Sequence, residues 1–444
     1  MERRTFIKNS SLTAVGLSAF GIMDSYSKGL VVGNNLKVNG ERIESRIFEL
    51  AKFGRNENGH GYRVAFSKGD IEGRAWFLDL MKKGGLEPII DEAGNIIGRR
   101  KGKNSSLKPI AFGSHIDMVP DGGNYDGTLG SLSALEVIEV LNENKMLTNH
   151  SLEVIVFADE EGSMIGSKAL SGQVSPEILK QISQGGLTIS EGVGAIGGNP
   201  GNIQNCLRNK GDIHAFLELH IEQGGILEKE NLQVGVVEGI VGIEHWEVTV
   251  EGFANHAGTT PMNVRQDALL TASKLIIAVN EVINSLKGNH VGTIGKIAAF
   301  PGAYNVIPGK VTLGMEIRDL SSEKVELIFS EIEKRAVIIA NDSKTKISFV
   351  RQPSVSKPAL TDKSLQQIIN AAAQSLGFTT KFMQSGAGHD SQNISRIAPV
   401  AMIFVPSVGG ISHSPKEFTK KGDITNGANL LLQTILSVDN AQGK

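Results

Sequence analysis

Four apolar runs in the chain each end on ionisable residues. Residues 110–113 lead into Ser114-His115-Ile116-Asp117, and residues 154–158 into Asp159-Glu160-Glu161-Gly162. Residues 216–219 lead into His220-Ile221-Glu222-Gln223-Gly224, and residues 400–406 are followed by Gly409-Gly410-Ile411-Ser412-His413-Ser414. A fifth candidate, Asp126, stands in Gly123-Asn124-Tyr125-Asp126-Gly127, just ahead of a helical pattern. Histidine and carboxylate side chains are metal ligands. The single cysteine, Cys206, allows neither an internal disulfide nor a thiolate cluster. A pair of ions about 3.5–4 Å apart needs one bridging carboxylate and terminal ligands on each ion. Asp126 can bridge, His115 and His220 can serve one ion, and Glu161 and His413 the other. Glu160, beside a ligand but unbound, is then free to take a proton from a water whose pKa the ions lower to about 7. Asp117, two residues past His115, can orient the imidazole. Taken singly, each piece has an ordinary explanation. A strand-end histidine is commonly structural, paired glutamates are commonly a solvated face, and an aspartate in a glycine-rich stretch is commonly a turn residue. Their joint occurrence points to a centre of two divalent ions per subunit, zinc first, with manganese, cobalt or nickel as alternatives.

The elements that must position these residues are legible as an α/β alternation. Helical periodicity covers residues 43–52, 71–82, 131–142 and 362–376, between short apolar strands at 109–113, 152–158, 215–219 and 400–405. Such runs imply a sheet covered on both faces, with sites at the carboxyl ends of its strands. Residues 246–353 read differently. Strand patterns at 246–252, 291–299, 311–319 and 347–351 alternate with helical patterns at 265–286 and 323–339. That order suits a ferredoxin-like α+β insertion. The predicted organisation is a catalytic α/β domain in two pieces, 36–245 and 354–444, with a lid at 246–353.

With 444 residues, 40% hydrophobic and 21% charged, the composition is that of a globular protein of two or three domains. A formal net charge of −2 gives no reason to expect nucleic acid or an anionic membrane as partner. Residues 1–29 resemble a twin-arginine export segment, Glu2-Arg3-Arg4-Thr5-Phe6-Ile7-Lys8 followed by a weakly apolar stretch too short to span a bilayer. This predicts a periplasmic protein, with no membrane association after export. The alternative is a disordered basic tail on a cytoplasmic one.

The motifs Gly113-Ser114-His115-Ile116-Asp117, Tyr125-Asp126-Gly127, Asp159-Glu160-Glu161-Gly162, Leu219-His220-Ile221-Glu222-Gln223-Gly224 and Gly410-Ile411-Ser412-His413-Ser414 together resemble the N-carbamoyl-L-amino-acid hydrolases. That group includes allantoate amidohydrolases and β-ureidopropionases, within the clan of dinuclear zinc aminoacylases and carboxypeptidases. The resemblance runs from about residue 40 to the C-terminus. It implies hydrolysis of a linear amide C–N bond in a small carboxylate-bearing substrate, and a homodimer formed through the lid. By the same resemblance, His256 crosses the dimer to polarise the substrate carbonyl. Asn305 and Arg318 grip the substrate carboxylate, a role the planar guanidinium fork suits. Gly388 and His389, in Gly386-Ala387-Gly388-His389-Asp390, border the site, one through backbone and one through a polar contact. Read without the resemblance, Arg318 is a surface ion pair with Asp319 or another carboxylate. Two departures matter. Ser163-Met164 follows Gly162 where the family has Arg-Phe, and Ile243 follows Val241-Gly242 where allantoate-cleaving members carry Gln. The second departure favours N-carbamoyl amino acids over allantoate. A dinuclear peptidase or aminoacylase of the same clan is the rival reading.

Overall fold

The computed structural model describes residues 36–353 and 356–441. The export-like segment at 1–29 lies outside them. The main sheet contains β1 (Glu87–Ile90), β2 (Ile96–Arg100), β3 (Ile110–His115), β4 (Leu152–Phe157), β5 (Ala215–Ile221), β6 (Val234–Ile240), β13 (Ala359–Leu360), β14 (Thr380–Ser385) and β15 (Val400–Val405). Its order is β1-β2-β4-β3-β5-β15-β6-β13, with β14 also alongside β6. The four central strands β4, β3, β5 and β15 run parallel, so their carboxyl ends share one edge. Those four strands are buried along their whole length.

Alternation along β4 shows why both faces must be covered. Leu152, Val154 and Val156 pack with the helices Gly40–Leu50, Thr128–Glu143 and Lys421–Asn440. Ile155 and Phe157 pack on the other face, with Ile165, Ala169, Ile189 and Val193. Each such wholly buried side chain contributes about 1.5–3 kcal/mol of transfer free energy. The helix Thr128–Glu143 starts at Gly127, whose φ of +62° is easy only for glycine. A Cβ there would also collide with the His115 ring.

The second sheet holds β7 (Gly242–Glu251), β9 (Val291–Phe300), β11 (Lys310–Asp319) and β12 (Lys346–Arg351), in the antiparallel order β12-β7-β11-β9. Strand–helix–strand–strand–helix–strand in that spatial order is the ferredoxin-like arrangement. One face packs on the helices Ala268–Ser285 and Ser322–Ser343, through Trp246, Val248, Leu313, Met315, Leu275 and Ile328. Strand β7 begins at Gly242, four residues before the boundary read from sequence, with Gly242 opposite Asp319. Two short strands, β8 (Asn255–His256) and β10 (Val306–Ile307), form a separate ribbon.

Candidate metal centre

The sheet edge brings His115, Asp126, Glu160, Glu161, His220 and His413 into one cluster. His115 ends β3, and His220 sits one residue before the end of β5. Three of the turns beyond the parallel strands carry a non-glycine residue in the left-handed region: Asp159 (φ 55°), Gln223 (φ 57°) and His413 (φ 52°). Each costs about 1–3 kcal/mol, and strain of this kind persists where surrounding structure fixes it, often at functional sites.

Asp126 is the centre of the arrangement. Its Oδ1 lies 3.1 Å from His220 Nε2 and 3.5 Å from His115 Nε2, while its Oδ2 lies 3.3 Å from His413 Nε2. Glu161 Oε2 is 3.4 Å from the same His413 nitrogen. Two triads result, His115–Asp126–His220 and Asp126–Glu161–His413, with donor atoms within 4.8 Å of one another in each. Glu160 stands outside both. It is buried, with Oε2 3.5 Å from His115 Nε2. His115, His220 and Asp126 are buried, whereas the His413 side chain is 50% exposed, so the cluster opens on that side.

The donor set fits divalent cations. His115 Nε2 and Glu161 Oε1 are buried without a hydrogen-bond partner among the described residues, although buried polar atoms are normally paired. Burial and the nearby Asp126 push Glu161 up to about 8. Burial likewise raises Glu160 well above the carboxylate range, with Asp390 and Glu161 adding to the effect. The hydrogen bond to Asp126 is the main cause that lifts His413 to about 9. Burial alone would raise Asp126, but His220, His115 and His413 outweigh it and hold the group well below its usual range. A cation would relieve this crowding of acids.

Supporting contacts go beyond the sequence reading. Asp117 serves both neighbours. Its main-chain oxygen is 3.1 Å and its Oδ1 3.6 Å from His115 Nδ1, and its Oδ2 accepts the Glu161 N–H at 3.0 Å. Gln223 donates to Asp126 Oδ2 at 2.6 Å, a role the sequence reading did not assign. Strand alternation would turn Gln223 away from His220, but its left-handed backbone turns it back. Glu222 caps the next helix instead, accepting from Ile226 and Leu227. Arg63, wholly buried, was also missed. It donates to the Ile116 carbonyl at 2.6 Å and to Thr128 Oγ1 at 3.2 Å, tying the His115 loop to the turn after Asp126.

The substrate-side residues are not gathered into one place. Arg318, on β11, donates from Nε to Glu316 at 2.7 Å and from Nη1 to the Gly386 carbonyl at 2.7 Å. It therefore pairs with Glu316, not Asp319, and reaches the loop that carries Gly388. His389 differs from expectation. It is 1% exposed, its Nε2 lies 2.9 Å from Ser385 Oγ, and its ring meets His220 at 4.5 Å. It supports His220 from behind and does not face an open cleft. His256 and Asn305 lie exposed on the β8–β10 ribbon, where the Asn305 carbonyl accepts the Ala257 N–H at 2.9 Å. His256 Nδ1 accepts from Gly258 and Thr259, at 3.0 and 3.2 Å, which leaves Nε2 as the donor. The ribbon adjoins the Lys310 end of β11, eight residues and about 27 Å along the strand from Arg318. Among the described residues neither His256 nor Asn305 forms a hydrogen bond with Arg318.

Known proteins share this organisation along nearly their whole length. The chain is 36% identical to N-carbamoyl-L-amino acid amidohydrolase of Geobacillus stearothermophilus over 412 residues, covering 92% of this chain and 100% of that one. It is 36% identical to ureidoglycolate hydrolase of Arabidopsis thaliana, covering 92% and 89% of the two chains. A solved amidase of the hydantoinase/carbamoylase family from Burkholderia multivorans superposes with a TM-score of 0.84 at 33% identity, covering 91% and 99%. Residues 111–437, which carry every member of both triads, match the sequence profile of peptidase family M20/M25/M40, and the chain belongs to that family.

Proposed function

We propose that the protein is a divalent-metal-dependent amidohydrolase that cleaves the carbamoyl C–N bond of an N-carbamoyl-L-amino acid or a related ureido acid. The observation that carries this reading is Asp126, shared by two triads with one oxygen turned to each. His115 and His220 would hold one ion, Glu161 and His413 the other, with zinc the first candidate and manganese, cobalt or nickel the alternatives. Such a pair of ions polarises a carbonyl oxygen and makes water a stronger nucleophile at neutral pH. Glu160 then takes the proton of the attacking water at a carboxylate oxygen and delivers it to the leaving nitrogen. The products are the free amino acid, carbon dioxide and ammonia.

Arg318 would hold the substrate carboxylate. Its Nη2 makes no hydrogen bond among the described residues, and its position over the Gly386–Gly388 loop places that nitrogen at the domain junction. Ile243 lies directly opposite Arg318 in the β7–β11 register. An apolar neighbour there supports a simple amino acid over allantoate with its second ureido group. Ureidoglycolate, the substrate in a relative's name, is the competing acid.

His256 and Asn305 would come from the partner lid of a homodimer, a reading supported by their exposure on a ribbon that adjoins the end of β11 away from Arg318. The lid offers apolar surface for such an interface. Leu270 and Ile277 project from the helix Ala268–Ser285, and Val291, Ile297 and Phe300 from the open edge strand β9. Residues 1–29 are read as the export segment of a periplasmic enzyme, which fractionation of the native host would check.

The test is product release by metal-reconstituted enzyme, read as ammonia from the ureido substrates and as free amino acid from the acetyl compound and the dipeptide. The panel holds N-carbamoyl-L-alanine, allantoate, ureidoglycolate, an N-acetyl amino acid and a dipeptide. Turnover of the carbamoyl substrate well above the others supports the proposal, and preference for the dipeptide or acetyl compound refutes it.

A further inference from the structure

Glu417 lies outside both triads, in Lys416-Glu417-Phe418, yet it is only 5% exposed. Its Oε1 accepts the backbone N–H of Tyr125 at 2.8 Å and of Asp126 at 3.1 Å. Its Oε2 accepts Ser412 Oγ at 2.8 Å and the His413 backbone N–H at 3.3 Å. One oxygen thus serves the loop of Asp126 and the other the loop of His413. The chain is shaped around this carboxylate. Gly123 passes so close that a Cβ would collide with it, and the Tyr125 ring meets Phe418 edge-on at 5.7 Å. No lysine or arginine pairs with Glu417 among the described residues, so these donors are what offsets its desolvation.

We infer that Glu417 is a positioning residue of the metal centre: it fixes Asp126 relative to His413 and so sets the geometry of the Asp126–Glu161–His413 triad. The inference rests on the dinuclear reading above. Ser412 joins the bracket, because its hydroxyl reaches both Glu417 Oε2 and Asp126 Oδ2, the latter at 3.0 Å, and its single proton serves one of them at a time. Neither His115 nor His220 touches Glu417, so its loss loosens the buried triad at Asp126 alone but the other triad at both Asp126 and His413, and the second should weaken far more. Glu417→Asp is too short to reach both loops. Glu417→Gln keeps the length but turns an amide donor towards the N–H groups of one loop.

The test uses the full chain, stripped by chelator and titrated with zinc ion. Bound metal is counted by elemental analysis, affinity is read by calorimetry, and melting is followed with and without metal. Wild type should bind two ions. Both Glu417 variants should hold one ion near wild-type affinity and bind the second ~10–100-fold more weakly, the usual range for residues that orient ligands. Their metal-free melting should change little, while the rise in melting on adding metal shrinks. Two ions bound at wild-type affinity would overturn the inference. So would a lowered metal-free melting point with an undiminished metal-induced rise, because that is a structural role alone. If a Glu417 variant does not fold, Ser412→Ala must show the same selective weakening, and wild-type binding there overturns the inference too. Wild type holding fewer than two ions removes the dinuclear reading itself, and this inference with it.

Discussion

Replacing Glu160 by glutamine removes a proton acceptor and changes almost nothing else. The amide is isosteric, the side chain is buried, and Glu160 belongs to neither ligand triad. Metal content should therefore stay at the wild-type level. Loss of general-base function lowers turnover by at least ~10²-fold, which corresponds to about 2.7 kcal/mol in the barrier. The Michaelis constant should change far less, since the proposed substrate contacts are made by Arg318 and other lid residues. Steady-state ammonia release, with metal counted on the same sample, separates the two effects. A variant that loses metal and regains most of its activity when metal is added back would show that Glu160 is a ligand, and that its role is exchanged with that of Glu161.

Arg318→Met should raise the Michaelis constant by roughly 10–100-fold with a smaller change in turnover, the loss of one or two charge-assisted hydrogen bonds. An effect confined to turnover would remove Arg318 from carboxylate binding. His256→Ala should do the opposite, lowering turnover most, if its Nε2–H acts as proposed on charge that develops in the transition state. Mixing inactive His256→Ala and Glu160→Gln chains should restore activity, since one site of each mixed dimer has both residues intact. With subunit exchange verified by a labelled chain, no recovery would place His256 in its own chain's site. Metal uptake should release protons at neutral pH. Glu161 at about 8 and His413 at about 9 are protonated there in the metal-free state and must lose their protons to bind. Affinity should accordingly rise with pH through that interval, and calorimetry in buffers of different ionisation enthalpy that finds no proton release would contradict it.

The parts of the site that lie at the ends of apolar strands were legible because hydrophobic patterning locates such strands and topology places their ends together. His115, Glu161 and His220 follow from that logic, and β15 brings His413 to the same edge. Gln223 was not legible, because its orientation depends on one left-handed backbone angle that no periodicity reveals. Glu417 belongs to none of the strand ends or helical patterns, and its contacts with the Asp126 and His413 loops appear only in the folded chain. His389 carries a family motif but is turned inward by packing against His220 and Ser385. The lid was legible as a fold from its order of elements. Its chemistry was not, because the separation of His256 from Arg318 is set by strand direction and register.

The most direct test of a shared bridging carboxylate is the metal content of wild type and Asp126→Ala after identical reconstitution. Native mass spectrometry of the two proteins, with far-UV circular dichroism to confirm that the variant is folded, gives the count per chain. Asp126 belongs to both triads, so wild type should carry two ions and the variant should lose both together. A folded Asp126→Ala protein that still holds one ion tightly would contradict the bridge.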